Sequence, residues 1–374
     1  MLKRTQIAII GAGIGGLTLA PLLRRLGLDV QIFEQAPAFA RVGAGIQMSP
    51  NPVKVLRELG LERRLRASAY QPRSMVSREA ETGDITFDYP LGAAAEEKYG
   101  APYLLMHRGD LHAALAECNS AQVQFGMKLR DVSEMPTGGT KLAFESGTEV
   151  LADAVIGADG VHSVIRKALL GEERPRFTGR VAYRTTFPAE LIRDAEVTDC
   201  TKWWGADRHI VIYPINPRLD EVYFTTSVPE DWQHESWSTK GDVRQLRETF
   251  AAFHPEVRAV LHACPEVHKW AIYERDPLPF WTRGCMVLLG DACHPMTPYM
   301  AQGAATAIED ALVLARCIEA SGSNRIPQAF ARFERTRKDR TSKIQYSSHL
   351  NSFMHRETNP DWVFGYDARS VDLA

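Results

Sequence analysis

Three glycines near the start of the chain have the spacing of a nucleotide-binding turn. Gly11, Gly13 and Gly16 follow a short apolar run at residues 7–10, and leucines recur at helical spacing after them. This order predicts a strand, a tight turn and a helix. Glycine at 11 and 13 lets the backbone approach a pyrophosphate, and glycine at 16 lets the helix lie close to the strand. The amino terminus of the helix then faces the anion.

Glu34 adds the carboxylate that such a site needs. It ends a second apolar run at residues 30–33, about 20 residues beyond the glycines. A carboxylate at this position accepts hydrogen bonds from the hydroxyls of an adenosine ribose, and its charge repels a 2′-phosphate. We therefore expect a dinucleotide without a phosphate on that ribose, with Ile14 and Gln35 among its contacts.

Two later segments favour FAD over NAD, which the glycines alone do not distinguish. Residues 155–160 carry an apolar run that ends near Asp159, and residues 286–291 carry another that ends at Asp291. A helix predicted over 304–318 follows, and its amino terminus would stabilise the negative charge that builds on a flavin when it is reduced. Asp291, at the strand end, is suited to bind a ribityl hydroxyl. The contacts expected from these segments are Asp159, Asp291, Pro298, Gly303 and Ala304.

The order and spacing of these three elements resemble the class A flavoprotein aromatic hydroxylases, the family of para-hydroxybenzoate hydroxylase and salicylate hydroxylase. The likeness covers nearly the whole chain and includes Arg108, which matches the family arginine near the FAD phosphates and ribityl chain. The resemblance implies an α/β fold: a Rossmann-type, glutathione-reductase-like FAD-binding domain, an interleaved β-sheet substrate domain and a long C-terminal helix. It also implies FAD held non-covalently, NADH rather than NADPH as a transient reductant, dioxygen, and a small aromatic acid as substrate.

The segments without FAD motifs predict a second module. Strands of one sheet are expected where β-branched and aromatic residues alternate or run together between turn residues, at 74–89, 178–188, 203–214 and 221–228. Residues 242–263 have helical spacing, and a long amphipathic helix over 326–350 is expected to brace the two modules. We assign residues 1–72, 100–178 and 274–374 to the FAD-binding domain, and residues 73–99 and 179–273 to the substrate-binding domain.

The chemistry of this family sets the requirements for a substrate pocket. Reduced flavin and dioxygen form a C4a-hydroperoxide, whose electrophilic oxygen must be kept from water until an electron-rich ring arrives. The ring is activated when its hydroxyl loses a proton, so the pocket needs a few polar groups inside an apolar enclosure. His209 and Tyr213 are four residues apart on an alternating strand and therefore point to the same side of the sheet. We expect both to face the substrate.

The resemblance adds three further candidates. Cys200 matches a cysteine of the substrate pocket, whereas Gln47 and Tyr299 stand where members that the chain resembles have histidine. Glutamine does not titrate and tyrosine ionises only near pH ~10, so the acid-base character of the pocket is expected to differ. Tyr299 is expected to relay protons if its hydroxyl joins His209 or water. The family-like stretch before Gln47 is Gly43, Ala44, Gly45 and Ile46.

The composition is that of a globular enzyme and narrows the other classes of protein. The chain has 374 residues, enough for two packed domains, with 45% hydrophobic and 24% charged residues and a formal net charge of -2. This charge gives no field that would gather nucleic acid. Six scattered cysteines without a CxxC motif predict free thiols and no metal site. Neither a signal peptide nor a membrane span is indicated, so we expect a cytoplasmic enzyme without a membrane partner.

Three alternatives stay open at this point. A flavin-dependent epoxidase or another oxidase on the same fold would share every FAD motif, and so would a flavin-binding module without catalytic activity. An NAD-dependent dehydrogenase needs only the first glycine turn and leaves Asp159 and Asp291 unexplained. The sequence is also compatible with a monomer or a homodimer, and with hydroxylation that keeps or removes the carboxyl group.

Overall fold

The computed structural model describes residues 3–41, 44–119, 123–136, 138–234 and 239–374. Gly43, in the family-like stretch before Gln47, lies outside the described residues. The strands, numbered in chain order, are β1 (Lys3–Ile10), β2 (Val30–Phe33), β3 (Gly45–Met48), β4 (Ser74–Glu79), β5 (Ile85–Pro90), β6 (Leu104–His107), β7 (Val123–Gln124), β8 (Leu129–Glu134), β9 (Thr140–Phe144), β10 (Glu149–Gly157), β11 (Arg176–Pro188), β12 (Cys200–Trp204), β13 (His209–Pro214), β14 (Glu221–Pro229), β15 (Lys240–Gly241), β16 (Val267–Glu274), β17 (Thr282–Arg283) and β18 (Met286–Leu288). The α-helices are α1 (Ile14–Arg25), α2 (Pro50–Glu58), α3 (Glu62–Ser68), α4 (Gly92–Tyr99), α5 (Arg108–Glu117), α6 (Val164–Leu170), α7 (Val243–Thr249), α8 (Pro255–Ala263), α9 (Gly303–Ser321), α10 (Ile326–His349) and α11 (Asp361–Phe364).

A mainly parallel sheet carries the glycine turn. Its strands run in the order β18-β10-β1-β2-β7, all parallel, with β17 antiparallel at one edge and the β8-β9 pair attached to β10. The inner strands are continuous apolar runs because α1 and α9 pack into the same core and bury them. Parallel strands with helices between them confirm the predicted α/β fold and bring the carboxyl ends of four strands to one edge.

The second sheet is mostly antiparallel, in the order β15-β16-β11-β14-β13-β12-β4-β5, with β12 parallel to β4. It contains every segment predicted as strand outside the FAD motifs. The predicted strand over 203–214 was too coarse, because the chain turns between β12 and β13, where the Gly205 N–H donates to the Arg208 carbonyl at 2.8 Å. The segment 74–89 is likewise the hairpin of β4 and β5, which turns at Gly83 with φ +78°.

The predicted helical segments also have finer boundaries in the structure. Residues 242–263 form two helices, since Pro255 cannot continue α7 and instead begins α8. The helix predicted over 304–318 is α9, which begins at Gly303 and ends at Ser321. The long helix predicted over 326–350 is confirmed as α10, from Ile326 to His349.

A short pair of strands, β3 and β6, lies against the second sheet. The antiparallel register places Gln47 opposite Leu105. Gly45 permits the close approach, because a Cβ there would lie 2.6 Å from the Tyr223 ring and 2.9 Å from the Tyr213 hydroxyl oxygen. The pair therefore fixes Gln47 next to a face of the second sheet.

A buried network of charges joins α10 to α9. Arg337 donates to Asp310 at 2.7 Å and to Glu309 at 2.7 Å, and all three side chains are fully buried. Asp310 also accepts hydrogen bonds from the His294 ring at 2.6 Å and from the backbone N–H of Gly290 at 3.2 Å. Burial acts to raise the pKa of Asp310, but His294 and Arg337 outweigh it and hold that pKa below its ordinary value. The network thus holds the turn at Gly290 in place.

Arg337→Met is expected to lower the free energy of unfolding by ~3–5 kcal/mol, because it leaves two buried carboxylates without their shared cation. A carboxylate whose pKa is depressed by folding contributes stability above its ordinary pKa and loses it on acidification. The difference between wild type and variant should therefore shrink below about pH 4. Urea unfolding at neutral and acidic pH measures both effects. Arg335→Met, at an exposed position of the same helix, is the matched control, and equal stability of the two variants would contradict the expectation.

Other features of the described residues bear on the class of protein. All six cysteines are free thiols. In this part of the chain no helix is both long and apolar enough to cross a membrane. Among the same residues, no group of three or more His, Cys, Asp and Glu side chains is arranged to hold a metal ion.

Candidate active site

The carboxyl edge of the parallel sheet opens into a cavity of about 760 Å³. Gly11 follows β1, Glu34 follows β2 and Asp159 follows β10 at this edge. Asp291 comes shortly after β18. Since β2 and β18 are three strand spacings apart, the lining residues extend along about 14 Å of the edge. The crevice beyond the carboxyl ends of such strands is the place where nucleotides bind in α/β sheets.

The three glycines have different roles in this cavity. Gly11 has φ +103°, and a Cβ there would lie 2.4 Å from the carbonyl oxygen of Ala158, so the turn requires glycine. A Cβ on Gly16 would lie 2.2 Å from the Gly11 carbonyl oxygen, as expected of a residue that lets the helix approach the strand. Gly13 lines the cavity, and a Cβ there would meet no atom within 4 Å. Because α1 begins without a side-chain cap, its first N–H groups are available to a ligand.

Glu34 is held in place by two backbone groups. Its Oε2 accepts the Ala12 N–H at 2.8 Å, and its Oε1 accepts the Ala36 N–H at 2.8 Å. Each oxygen keeps lone pairs for a further donor. Gln35 lines the same part of the cavity, and Met127 joins it because its N–H donates to the Glu34 carbonyl at 2.8 Å.

Asp159 has one occupied and one unpaired carboxylate oxygen. Its Oδ2 accepts the N–H groups of Val164 at 2.7 Å and Ile165 at 3.3 Å, at the start of α6. Its Oδ1 is buried and has no hydrogen-bond partner among the residues that the structure describes. Burial raises the pKa of Asp159, although its hydrogen bonds act in the opposite direction. An unpaired acceptor in the wall of a cavity favours a ligand that brings a donor.

Asp291 and Arg108 form another charged part of the wall. Burial raises the pKa of Asp291, while His294 and Arg108 act against this effect. Burial lowers the pKa of Arg108, while Asp291 acts against it. Gly303, the first residue of α9, lies against Asp291, since a Cβ there would be 3.8 Å from Oδ1. Pro298 lines the cavity nearby.

A second, smaller cavity of about 70 Å³ shares Pro298 with the first. Its walls come from β3, β4, β12, β13, β14, the loop before α9 and the segment after α10. Much of the wall is apolar, with Met75, Met300, Phe353 and Phe364 among its side chains. The predicted substrate contacts that line it are Gln47, Cys200, His209 and Tyr299.

Gln47 is the centre of a hydrogen-bonded chain in this second cavity. The Tyr103 hydroxyl donates to Gln47 Oε1 at 2.6 Å, and the Gln47 amide also hydrogen-bonds Tyr213. Tyr213 does not line the cavity itself and is connected to it through Gln47. Burial raises the pKa of Tyr103 and Tyr213 well above the ordinary value, so both hydroxyls stay protonated at neutral pH.

His209 and Tyr299 meet elsewhere in the wall, with ring centroids 5.4 Å apart in an edge-on arrangement. The Tyr299 hydroxyl hydrogen-bonds the Ser227 hydroxyl at 2.9 Å, so the relay expected from it to His209 has no direct hydrogen bond. The Nδ1 atom of His209 lies 3.4 Å from the Asn351 amide nitrogen. Burial, with help from the charge of Lys202, lowers the pKa of His209 well below its ordinary value. The imidazole is therefore neutral at pH 7.

Comparisons with known proteins agree with this geometry. The FAD binding domain family matches residues 4–346. The chain is 44% identical to 6-hydroxynicotinate 3-monooxygenase of Pseudomonas fluorescens and 45% identical to the enzyme of that name from Bordetella bronchiseptica, over 100% of this chain and 98% of each relative. The chain belongs to the FAD-dependent aromatic monooxygenases. The crystal structure of Klebsiella pneumoniae HpxO complexed with FAD and uric acid has a TM-score of 0.82 at 26% identity, and the match covers 96% of this chain and 90% of that chain.

FAD is the cofactor of this monooxygenase, and the first cavity fits it. The uncapped start of α1 and the open space at Gly13 suit a pyrophosphate. Glu34 keeps acceptor capacity for ribose hydroxyls, and the unpaired oxygen of Asp159 awaits a donor. The fold and the donor set therefore agree on one extended dinucleotide along the sheet edge.

The predicted cofactor contacts divide into two groups. Those that line the first cavity are Gly11, Gly13, Glu34, Gln35, Arg108, Asp159, Asp291 and Pro298. The others lie in the first turns of α1 and α9 and do not line it; they are Ile14, Gly16, Gly303 and Ala304. Sequence analysis missed Met127 and Trp270, which line the cavity from β-structure far from the glycines in sequence. No local pattern marks either residue as a cofactor contact.

The second cavity of the monooxygenase also contains residues that sequence analysis missed. Lys202 is two residues from Cys200 on β12, and strand alternation would have placed both on one face. Tyr103 donates to Gln47 from just before β6. Asn351 and Phe364 come from the segment after α10, and no sequence pattern indicates that this segment returns to the site.

Proposed function

We propose that this monooxygenase hydroxylates a small hydroxylated aromatic or N-heteroaromatic acid, with FAD, NAD(P)H and dioxygen. The observation that carries the proposal is the small, largely apolar cavity that shares Pro298 with the cofactor cavity and contains the hydrogen-bonded Gln47. The names of the two bacterial relatives, both 6-hydroxynicotinate 3-monooxygenases, support this substrate class. The proposal includes hydroxylation with or without loss of the carboxyl group.

Bound FAD supplies the redox chemistry, accepting hydride from a nicotinamide dinucleotide and, once reduced, activating dioxygen. On this chain, the backbone at Gly13 would hold the pyrophosphate, Glu34 the adenosine ribose and Asp291 the ribityl chain. Arg108 would lie near the phosphates and the ribityl chain. NADH is the proposed reductant rather than NADPH, and it would bind transiently because the sequence has no second glycine turn of this spacing.

Gln47 and Tyr213 are the proposed partners of the substrate hydroxyl. Because the Gln47 amide donates to the Tyr213 oxygen, the Tyr213 proton is free to be shared with an oxygen on the ring. Neutral His209 offers a ring nitrogen that can accept a proton from the substrate or from water. The ring of Tyr299, together with Met300 and other apolar wall residues, would exclude water from the reacting atoms.

The experiment that tests this function is a screen of hydroxybenzoates and hydroxypyridine carboxylates for stimulated NADH oxidation under ¹⁸O₂, with products identified by mass. We expect at least one acid to stimulate oxidation and to gain one ¹⁸O atom. NADH oxidation without oxygen incorporation would instead support an oxidase, and no stimulation by any acid would contradict the proposal.

The same screen tests the substrate preference that Gln47 and Tyr299 predict. A hydroxypyridine ring needs donors that shift protons to its nitrogen and hydroxyl, and neither Gln47 nor Tyr299 titrates near neutral pH as histidine does. We therefore expect salicylate-type acids to have a higher kcat/KM and better coupling than 6-hydroxynicotinate. The double variant Gln47→His with Tyr299→His should shift this preference toward 6-hydroxynicotinate. Efficient, coupled turnover of 6-hydroxynicotinate by the wild type would contradict the preference without removing the proposed function.

The cytoplasmic location, the boundaries of the FAD-binding and substrate-binding domains, and the choice between monomer and homodimer stay predictions. The domain boundaries place Gln47 and Tyr299 in the FAD-binding domain, and Cys200, His209 and Tyr213 in the substrate-binding domain. The proposed substrate would accordingly bind between the two domains, next to the cofactor.

A further inference from the structure

Lys202 is a buried cation in the wall of the second cavity. The residue is 8% exposed, and its Nζ lies 3.4 Å from Asn351 Oδ1 and 3.7 Å from the centre of the Trp204 ring. Among the residues that the structure describes, no aspartate or glutamate lines this cavity, and none forms an ion pair with Lys202. A buried ammonium without a counter-ion is unfavourable, and an anionic ligand in the cavity would relieve this.

We propose that Lys202 binds the carboxylate of the substrate and thereby selects acids over their neutral analogues. This inference rests on the proposed function, because it assumes that the second cavity receives the aromatic ring. The register of β12 and β13 pairs Lys202 with Val211 and Trp204 with His209. The ammonium reaches toward Trp204, away from the Gln47–Tyr213 hydrogen bond near the other end of β13. A ring between these two polar groups would place its carboxylate at Lys202 and its hydroxyl at Gln47.

The surroundings of Lys202 suit a charge that is completed only when an anion binds. Burial lowers the pKa of Lys202 to about 7, Arg180 lowers it further, and Cys200 acts in the opposite direction. The titratable or charged groups near Lys202 are Cys200 on the same strand, His209 on β13, Arg180 on β11, Tyr299 before α9 and His355 after α10.

Those neighbours change little in charge between pH 7 and 9. Burial raises the pKa of Cys200 to about 12 and also raises that of Tyr299. Burial lowers the pKa of His209 well below its ordinary value and also lowers that of His355. A loss of acid binding across this pH interval would therefore report on the Lys202 ammonium.

The test compares 3-hydroxybenzoate, 4-hydroxybenzoate and 6-hydroxynicotinate, each beside its primary amide, as ligands of the FAD-loaded enzyme. Dissociation constants come from the change that each compound causes in the flavin absorbance spectrum. In Lys202→Met the dissociation constant of each acid that binds is expected to rise at least ~30-fold, because one partner of a buried charge pair is lost. The corresponding amides should bind about as well as they bind the wild type.

Two further readouts separate charge recognition from a merely structural role. In the wild type the dissociation constant of the acid should rise toward about tenfold per pH unit above pH 7, and this slope should vanish in Lys202→Met. Folding lowers the pKa of Lys202, so the unpaired charge destabilises the ligand-free protein most below pH 7 and less as pH rises toward that of a free lysine. Lys202→Met should therefore raise Tm at pH 6 more than at pH 9.

Lys269→Met is the matched control. Lys269 is also buried and lies over Trp232, but it pairs with Glu230 and lines neither cavity. Its removal should lower Tm and leave acid binding unchanged. Equal acid affinity in wild type and Lys202→Met would overturn the assignment while the proposed function stands. Failure of the wild type to bind any of the six compounds would count against the proposed function, and the assignment would fall with it.

Discussion

Gly13→Val is expected to give a folded protein that purifies without FAD. A side chain at Gly13 has room in the absence of a ligand, because a Cβ there meets no atom within 4 Å and the backbone has φ -74°. The added atoms would occupy the part of the cavity at the uncapped start of α1, where the pyrophosphate is expected. Loss of two hydrogen bonds to a charged group, each worth about 1.5–3 kcal/mol, corresponds to at least ~100-fold weaker binding.

The measurement is the FAD content of the purified protein by absorbance, with an FAD titration followed by fluorescence and thermal unfolding of the apoprotein. Gly11→Val is the informative comparison, because φ +103° and a contact of 2.4 Å with the Ala158 carbonyl oxygen exclude valine from the turn itself. That variant should fail to fold, whereas Gly13→Val should match the thermal stability of the wild-type apoprotein. Full flavin occupancy in Gly13→Val would show that the cofactor does not approach this residue.

Tyr213→Phe is expected to reduce the rate of coupled hydroxylation by about 10²–10³-fold, the usual effect of removing a group that takes part in proton transfer. The substitution leaves the ring in place and removes only the hydroxyl that hydrogen-bonds Gln47. Because the pKa of this hydroxyl is well above its ordinary value, the wild type should show no change of rate from its ionisation near neutral pH. FAD content should not change, since Tyr213 lines neither cavity.

Product formed per NADH consumed, measured with the best acid of the screen, gives both the rate and the coupling. Tyr183→Phe is the control, because Tyr183 is a buried tyrosine of the same sheet whose hydroxyl donates to Glu230 at 2.9 Å, away from both cavities. A kcat for Tyr213→Phe equal to that of the control would show that the hydroxyl has no part in the reaction.

The cofactor cavity was largely predictable because its main residues are set by local sequence. Gly11, Gly13 and Glu34 belong to one strand-turn-helix-strand unit, in which backbone geometry alone dictates glycine and a terminal acid. Asp159 and Asp291 follow apolar runs that became neighbouring parallel strands, so their common edge follows from the topology of the sheet.

The second cavity was predictable only where strand alternation operates. His209 and Tyr213 were predicted to point to one side of a strand, and β13 places them so, although only His209 lines the cavity. The turn at Gly205 was missed, because a single long strand and a hairpin have the same alternation of side chains. The role of Cys200 came from resemblance, and the position of Lys202 two residues later was not used.

The sequence by itself determined the α/β class, the strand-turn-helix unit and the charges around the FAD, because these depend on hydrogen bonds and steric limits between residues close in the chain. Only the tertiary structure decided that Gln47, Lys202 and Asn351 share one cavity. Their elements are more than 100 residues apart and are brought together by the packing of β3 and β6 on the second sheet and by the return of the segment after α10. Such contacts depend on the burial of whole surfaces rather than on any local pattern, which is why the unpaired ammonium of Lys202 becomes visible only in the folded protein.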